Sequence, residues 1–209
     1  MSARDLLQSH LGQCPLVAII RGVTPAEAEA IGDAIYEGGI RIIEVPLNSP
    51  EPLKSIERLA EKFGERMLVG AGTVLDSADV HRVRDVGGKI IVSPDTNLEV
   101  ISAAAAAGLV ASPGYFTPSE AFAALRAGAT GLKLFPAEGA TPSVLKAQLA
   151  VIPKDVPILA VGGITPDNMR PWLDAGAAGF GLGGGLYKPG QSARDTLEKA
   201  RAYVAGLGR

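Results

Sequence analysis

The sequence predicts a single-domain (β/α)8 barrel, a TIM barrel, spanning residues 1–209. Three observations carry that prediction. Short β-rich runs alternate with amphipathic, alanine-rich stretches from one end of the chain to the other. About eight such βα units fit into 209 residues, the size of a compact barrel. No linker, charge run or low-complexity insert interrupts them. An open doubly wound sheet is the alternative, but it usually has fewer strands, and no GxGxxG follows the first strand here.

In chain order, strands are expected at 16–21, 40–46, 67–70, 89–93, 109–111, 131–135, 157–161 and 178–181. Helices are expected at 25–37, 50–63, 77–86, 98–107, 118–127, 143–151, 166–174 and 192–205. Thr24-Pro25 opens the first of these helices, a cap followed by a proline whose fixed φ suits the first turn. Ser49-Pro50, Thr117-Pro118, Thr141-Pro142 and Thr165-Pro166 read in the same way. Gly38, Gly87, Gly108, Gly128 and Gly176 close helices where a left-handed cap is useful. The repeated Ala-Gly-Ala at 127–129 and 175–177 reads as recurring turn geometry between helix and strand.

Composition excludes several classes of function. The chain is 47% hydrophobic and 20% charged, which describes an ordered globular protein. Its formal charge of −2, with Lys and Arg spread along the chain, provides no basic patch for nucleic acid or an anionic membrane. Cys14 is the only cysteine, so internal disulfides, CxxC chemistry and thiolate zinc sites are excluded, and it reads as a small buried hydrophobe. His10 and His81 lack metal-ligand spacing and are expected at the surface. Asp76 and Asp79 are expected at a helix N-terminus. Met1-Ser2-Ala3-Arg4-Asp5 lacks the apolar core of a signal peptide, and no stretch is long enough to span a bilayer, so a cytoplasmic location is expected.

In a barrel the chemistry belongs at the C-terminal ends of the strands. Lys133 lies in Gly131-Leu132-Lys133-Leu134-Phe135-Pro136, where alternation puts Leu132 and Leu134 on one face and Lys133 and Phe135 on the other. Lysine is rarely buried in such a strand unless its amine is used. An apolar pocket disfavours the ammonium, and the neutral amine can attack a carbonyl. A lysine paired with a buried carboxylate is the structural alternative. Glu44, inward-facing between Ile43 and Val45, is either that partner or a general base raised by its surroundings. Arg21 ends the first strand and is shaped to grip a carboxylate or phosphate, or to cap the mouth against Glu44. Thr73 ends the third strand and either bonds a substrate carboxylate or caps the next helix. Gly162-Gly163 and Gly183-Gly184 follow the seventh and eighth strands, where barrels commonly hold phosphate on backbone amides.

Ile43-Glu44-Val45, Val69-Gly70-Ala71-Gly72-Thr73-Val74-Leu75, Leu132-Lys133-Leu134-Phe135-Pro136-Ala137 and Val161-Gly162-Gly163-Ile164 together resemble the class I aldolases of 2-keto-3-deoxy-6-phospho sugar acids. The match keeps motif order and spacing from about Leu16 to about Tyr187. The resemblance implies a (β/α)8 barrel, a homotrimer, no metal or cofactor, and cleavage of the substrate to pyruvate and glyceraldehyde 3-phosphate. It makes Lys133 the Schiff-base lysine and Glu44 the proton carrier. It places Thr73 on the pyruvate carboxylate and Gly162, Gly163, Gly183 and Gly184 around the phosphate. Two branches of the family differ in configuration at C4. The gluconate branch has an arginine in the loop after the glutamate strand and a threonine before the paired glycines. Here those positions read Pro46-Leu47-Asn48-Ser49-Pro50 and Val161, and with Arg21 at the first strand end the chain resembles the galactonate branch. Related chains often carry serine where this one has Gly184, a departure in the last phosphate loop. A phosphosugar isomerase or synthase barrel shares the glycine loops but does not need an inward lysine.

Overall fold

The computed structural model describes residues 1–208. Nine parallel strands are present: β1 Leu16–Ile19, β2 Ile42–Pro46, β3 Leu68–Gly72, β4 Ile90–Val92, β5 Val110–Ser112, β6 Gly114–Tyr115, β7 Leu132–Leu134, β8 Ile158–Val161 and β9 Gly179–Leu182. Their order, β5-β4-β3-β2-β1-β9-β8-β7-β6, is that of a nearly closed barrel. Strands β5 and β6 occupy one barrel position and are separated by Pro113, which has no N–H to give a ladder. β5 pairs with β4, and β6 pairs with β7. The carbonyl of Pro113 still accepts from Lys133 N–H at 2.9 Å, so the ring continues past the break. The eight strand positions are therefore those expected, with the fifth extended beyond 109–111 by a segment that Pro113-Gly114 disguised.

Eight helices, α2 Pro25–Glu37, α3 Pro52–Phe63, α4 Ser77–Asp85, α5 Leu98–Ala106, α6 Pro118–Arg126, α7 Pro142–Leu149, α8 Met169–Ala175 and α9 Ala193–Gly206, follow the strands around the outside. Two begin later than their Ser/Thr-Pro signals suggest. α3 starts at Pro52 because Ser49 is engaged elsewhere, its hydroxyl accepting from the Gly22 N–H at 2.9 Å. α8 starts at Met169 because Thr165–Asn168 form a turn in which the Asn168 side chain accepts from the Thr165 N–H. Gly87, Gly108, Gly128 and Gly176 take positive φ, whereas Gly38 stays right-handed at φ −69° and Gly39 makes the reversal.

A further helix, α1 Ala3–Gln13, precedes the barrel and was not expected. Ser2 and Asp5 form a reciprocal capping box at its start. Its apolar face carries Leu7 and Leu11 onto the inward side chains Val17, Ile42, Leu68, Ile90, Val110 and Leu159, closing the N-terminal end of the barrel. His10 lies on this helix and is buried, which corrects its expected surface position; its Nδ1 bonds the carbonyl of Leu6, four residues back. Cys14 is buried, as a small hydrophobe would be.

Two apolar layers result. The outer one lies between strands and helices and includes Ile43, Val45, Leu132 and Leu134. The inner one fills the barrel, with Phe135 packed at its edge. The alternation expected along β2 and β7 therefore holds: both Glu44 and Lys133 point inward. No helix among the described residues is long and apolar enough to cross a membrane.

Candidate active site

At the C-terminal end of the barrel the inner layer gives way to a cavity of about 630 Å³. Its lining includes every residue singled out above: Arg21, Glu44, Thr73, Lys133, Val161, Gly162, Gly163, Gly183 and Gly184. These residues come from six strand ends scattered over about 160 positions of sequence.

Glu44 and Lys133 are 2% and 8% exposed, a carboxyl and an amine withdrawn from water almost completely. Burial raises the Glu44 carboxyl from 4.5 to about 7, against the opposing pull of the Lys133 and Arg21 charges. Burial also lowers the Lys133 amine, with the charge of Glu44 opposing and that of Arg21 assisting. Both groups are thus pushed toward their neutral forms. Among the described residues they do not form an ion pair, and Glu44 Oε2 is buried without a hydrogen-bond partner. The structural alternative, a closed salt bridge between them, is not what the geometry holds. The Lys133 Nζ lies 4.6 Å from the centre of the Phe135 ring, an aromatic face that receives the amine without hydrogen-bonding it.

The carboxyl of Glu44 occupies the space that a side chain on Gly72 would need. A Cβ there would lie 1.8 Å from Glu44 Oε2. Gly72, in register beside Pro46, is therefore a site residue by omission, and only its position at a strand end hinted at this. The next residue, Thr73, has φ +53°, an unusual conformation for a β-branched side chain that costs on the order of 1–3 kcal/mol. The turn carries the Thr73 hydroxyl into the cavity, where the Arg21 guanidinium donates to it at 3.3 Å and also donates to Asn48 Oδ1. Arg21 is bound to these two neutral partners and not to Glu44, so its charge remains available to an anion.

Val161 closes β8, 6% exposed and facing the cavity. The two glycine loops that follow β8 and β9 form the outer wall, and Tyr203 of α9 braces them from behind, its hydroxyl donating to the carbonyl of Ile164 at 2.9 Å. Sequence reasoning missed Tyr203, Glu138 and Lys188, which also line the cavity. Glu138 lies against Gly162 and Gly163, where added Cβ atoms would meet its side chain at 2.8 and 2.5 Å. Nothing in its local sequence distinguishes it from an ordinary surface glutamate, and the same is true of Lys188. No group of three or more His, Cys, Asp or Glu side chains among the described residues is arranged to hold a metal ion.

An enclosed amine, a carboxyl poised near neutrality and a guanidinium with no anionic partner are what a barrel needs to act on an anionic carbonyl compound. The chain belongs to the KDPG and KHG aldolase family, whose model matches residues 7–199. It is 49% identical to the "Probable 2-dehydro-3-deoxy-6-phosphogalactonate aldolase" of Rhizobium meliloti (strain 1021), over 91% of this chain and 90% of that one. It is 45% identical to the 2-dehydro-3-deoxy-6-phosphogalactonate aldolase of Escherichia coli (strain K12), over 91% and 93%. The 2-dehydro-3-deoxy-phosphogluconate aldolase of Zymomonas mobilis is more distant, 30% identical over 82% and 81%. The native KDPGal structure superposes with a TM-score of 0.92 at 44% identity, covering 94% of this chain and 95% of that one.

Proposed function

We propose that this chain is a class I aldolase that cleaves 2-dehydro-3-deoxy-6-phosphogalactonate to pyruvate and glyceraldehyde 3-phosphate. The observation that carries the proposal is the unpaired Lys133–Glu44 couple, buried side by side in charge terms at the base of one cavity. The names of the two relatives at 49% and 45% identity support the galactonate configuration over the gluconate one. Val161 before the glycine pair agrees with them.

The chemistry follows from the groups available. The neutral amine of Lys133 adds to the C2 ketone, and loss of water leaves a protonated imine. This iminium draws the electron pair of the C3–C4 bond when the C4 hydroxyl gives up its proton, releasing the aldehyde and leaving an enamine. Glu44, directly or through water, accepts that proton and later delivers one to the enamine carbon, and addition of water to the resulting iminium breaks its bond to Lys133, freeing pyruvate and the amine. A carboxyl titrating at about 7 can do both at neutral pH. Arg21 and Thr73 hold the carboxylate of the pyruvyl part, and Gly162, Gly163, Gly183 and Gly184 receive the phosphate on backbone amides. The iminium supplies the polarisation that a divalent ion supplies in metal-dependent aldolases, so no cofactor enters the scheme.

Incubation with pyruvate and borohydride tests the central step. The peptide containing Lys133 should gain one reduced pyruvyl mass, and Lys133→Ala should gain none and be inactive. Undiminished labelling of Lys133→Ala would overturn the assignment, and faster turnover of the gluconate epimer would overturn the branch alone. We further propose a homotrimer in the cytoplasm. Leu75 and Phe116, in loops, and Leu98, at the start of α5, remain 53%, 38% and 48% exposed, an apolar surface suited to another subunit. Sedimentation should then return three times the 21.5 kDa chain mass.

A further inference from the structure

The substrate of the reaction proposed above carries a carboxylate at one end and a phosphomonoester, with a charge of about −1.5 to −2, at the other. Among the described residues, five charged side chains line the cavity: Arg21, Lys133 and Lys188 are basic, Glu44 and Glu138 acidic. Arg21 is bound at the Thr73–Asn48 end, and Lys133 lies at the base. Backbone amides, with Thr165 beside the first loop, would therefore face the phosphate on the glycine wall without a cation, and Gly184 adds no hydroxyl on the second loop. They would do so beside a carboxylate, because Glu138 packs against Gly162 and Gly163. A dianion is repelled from that half of the wall and favoured on the half formed by residues 183–185. Lys188 is the basic side chain on the loop of that second half.

Its surroundings suit it to reach inward. Tyr187 before it is 2% exposed. Pro189 after it packs so closely on Gly22 that an added Cβ there would lie 2.5 Å from the proline ring. The backbone is thus anchored on both sides of Lys188, on one side against Gly22, the residue that follows Arg21, while the side chain itself is exposed at the cavity rim. Among the described residues its ammonium makes no ion pair and no hydrogen bond, unlike Lys54 and Lys62, which are paired with carboxylates.

We propose that Lys188 is the phosphate-selecting cation of this site, and that it draws the phosphomonoester onto the 183–185 loop and away from Glu138. The proposal rests on the aldolase reading, and a paired experiment separates the two. Lys188→Met and Lys188→Arg are assayed with the 6-phosphorylated substrate and with its unphosphorylated counterpart, alongside pyruvate–borohydride labelling. Loss of one charge-assisted contact should raise KM for the phosphorylated substrate roughly tenfold or more in Lys188→Met. The value of kcat, the KM of the unphosphorylated substrate and the labelling of Lys133 should change little, and Lys188→Arg should recover most of the loss. The dependence of KM on ionic strength should flatten in Lys188→Met. An unchanged KM for the phosphorylated substrate, or an equal rise for both substrates, would overturn the role of Lys188 while intact labelling leaves the aldolase reading standing. Absence of labelling in the unaltered enzyme would instead remove that reading. In that case stabilisation by inorganic phosphate, read from thermal unfolding of the unaltered chain and Lys188→Met, still reports on the cation: equal shifts in the two would overturn it.

Discussion

The two ends of the barrel are built on the same strands and filled with opposite kinds of side chain. On β2, Ile42 and Glu44 face inward two residues apart, about 7 Å along the strand. Ile42 belongs to the inner apolar layer that Leu7 and Leu11 close from below, and it is completely buried. Glu44 is 2% exposed one layer higher, yet one of its oxygens has no protein partner. The lower end has converted burial into packing. The upper end has converted the same burial into displaced proton affinities, raising Glu44 and lowering Lys133. The difference shows that one-sided desolvation is what the fold supplies to the site: α1 and the inner layer exclude water from below, while the cavity admits substrate from above.

The largest effect on this contrast should come from neutralising its upper end. Glu44→Gln keeps shape and removes the proton carrier, so kcat should fall by roughly 10²–10⁴, with imine formation at Lys133 retained. Stability should move the other way. A carboxyl whose folded value lies above its unfolded one binds its proton more tightly in the fold, so wild-type stability falls as pH rises from 4.5 toward about 7. Above that range the full cost applies, on the order of 3 kcal/mol. Glu44→Gln should therefore melt higher than wild type at pH 8 and gain little at pH 4. A variant that loses stability at pH 8 would mean that Glu44 is a structural anchor after all. The same titration gives the wild-type kcat/KM profile an acid limb near pH 7.

The lower end should break differently. Leu7 is 1% exposed and reaches the barrel floor, where even a Cβ on Gly131 would lie 2.9 Å from it. Leu7→Ala should cost about 2–5 kcal/mol in chemical denaturation, with kcat of the folded enzyme close to wild type. A fall in kcat without loss of stability would mean that the two ends are coupled more tightly than their chemistry suggests.

How far all this was legible in the sequence follows from the same contrast. Period-two alternation reported the inward face of β2 and β7, because those strands switch between two apolar layers and the exception, Glu44 or Lys133, stands out. The glycine loops were legible because their place after the last two strands gave weight to otherwise ordinary glycines. α1 was not read, although Ser2 and Asp5 spell a capping box, because a short amphipathic segment before a barrel has no strand to announce it. The split of the fifth strand was hidden by Pro113. Gly72 was only half legible: its strand-end position pointed to the mouth, but nothing local shows that a glycine matters for the space it leaves. Glu138 and Lys188 were illegible, because charges brought to a rim by long-range folding have no local pattern at all.

The smallest effect concerns selectivity at one position of the cavity wall. Val161 is buried at the end of β8 and lines the cavity, and by the resemblance described above the gluconate branch, from which this chain departs here, carries threonine at that position. Valine and threonine are nearly isosteric, so exchanging them leaves the volume of the site intact and changes only whether a hydroxyl is present. A C4 hydroxyl directed at Val161 is desolvated without a partner, at a cost of about 1–3 kcal/mol, or roughly 5- to 150-fold in relative rate. The epimer whose C4 hydroxyl points elsewhere escapes that cost. Wild-type enzyme should therefore prefer the galactonate epimer while still turning over the gluconate one. Val161→Thr should narrow the ratio of the two kcat/KM values by raising the gluconate value, with the galactonate value and the melting temperature nearly unchanged. If the ratio stays fixed while the variant folds normally, discrimination at C4 lies elsewhere in the cavity, and the Arg21–Asn48–Thr73 cluster becomes the place to look for it.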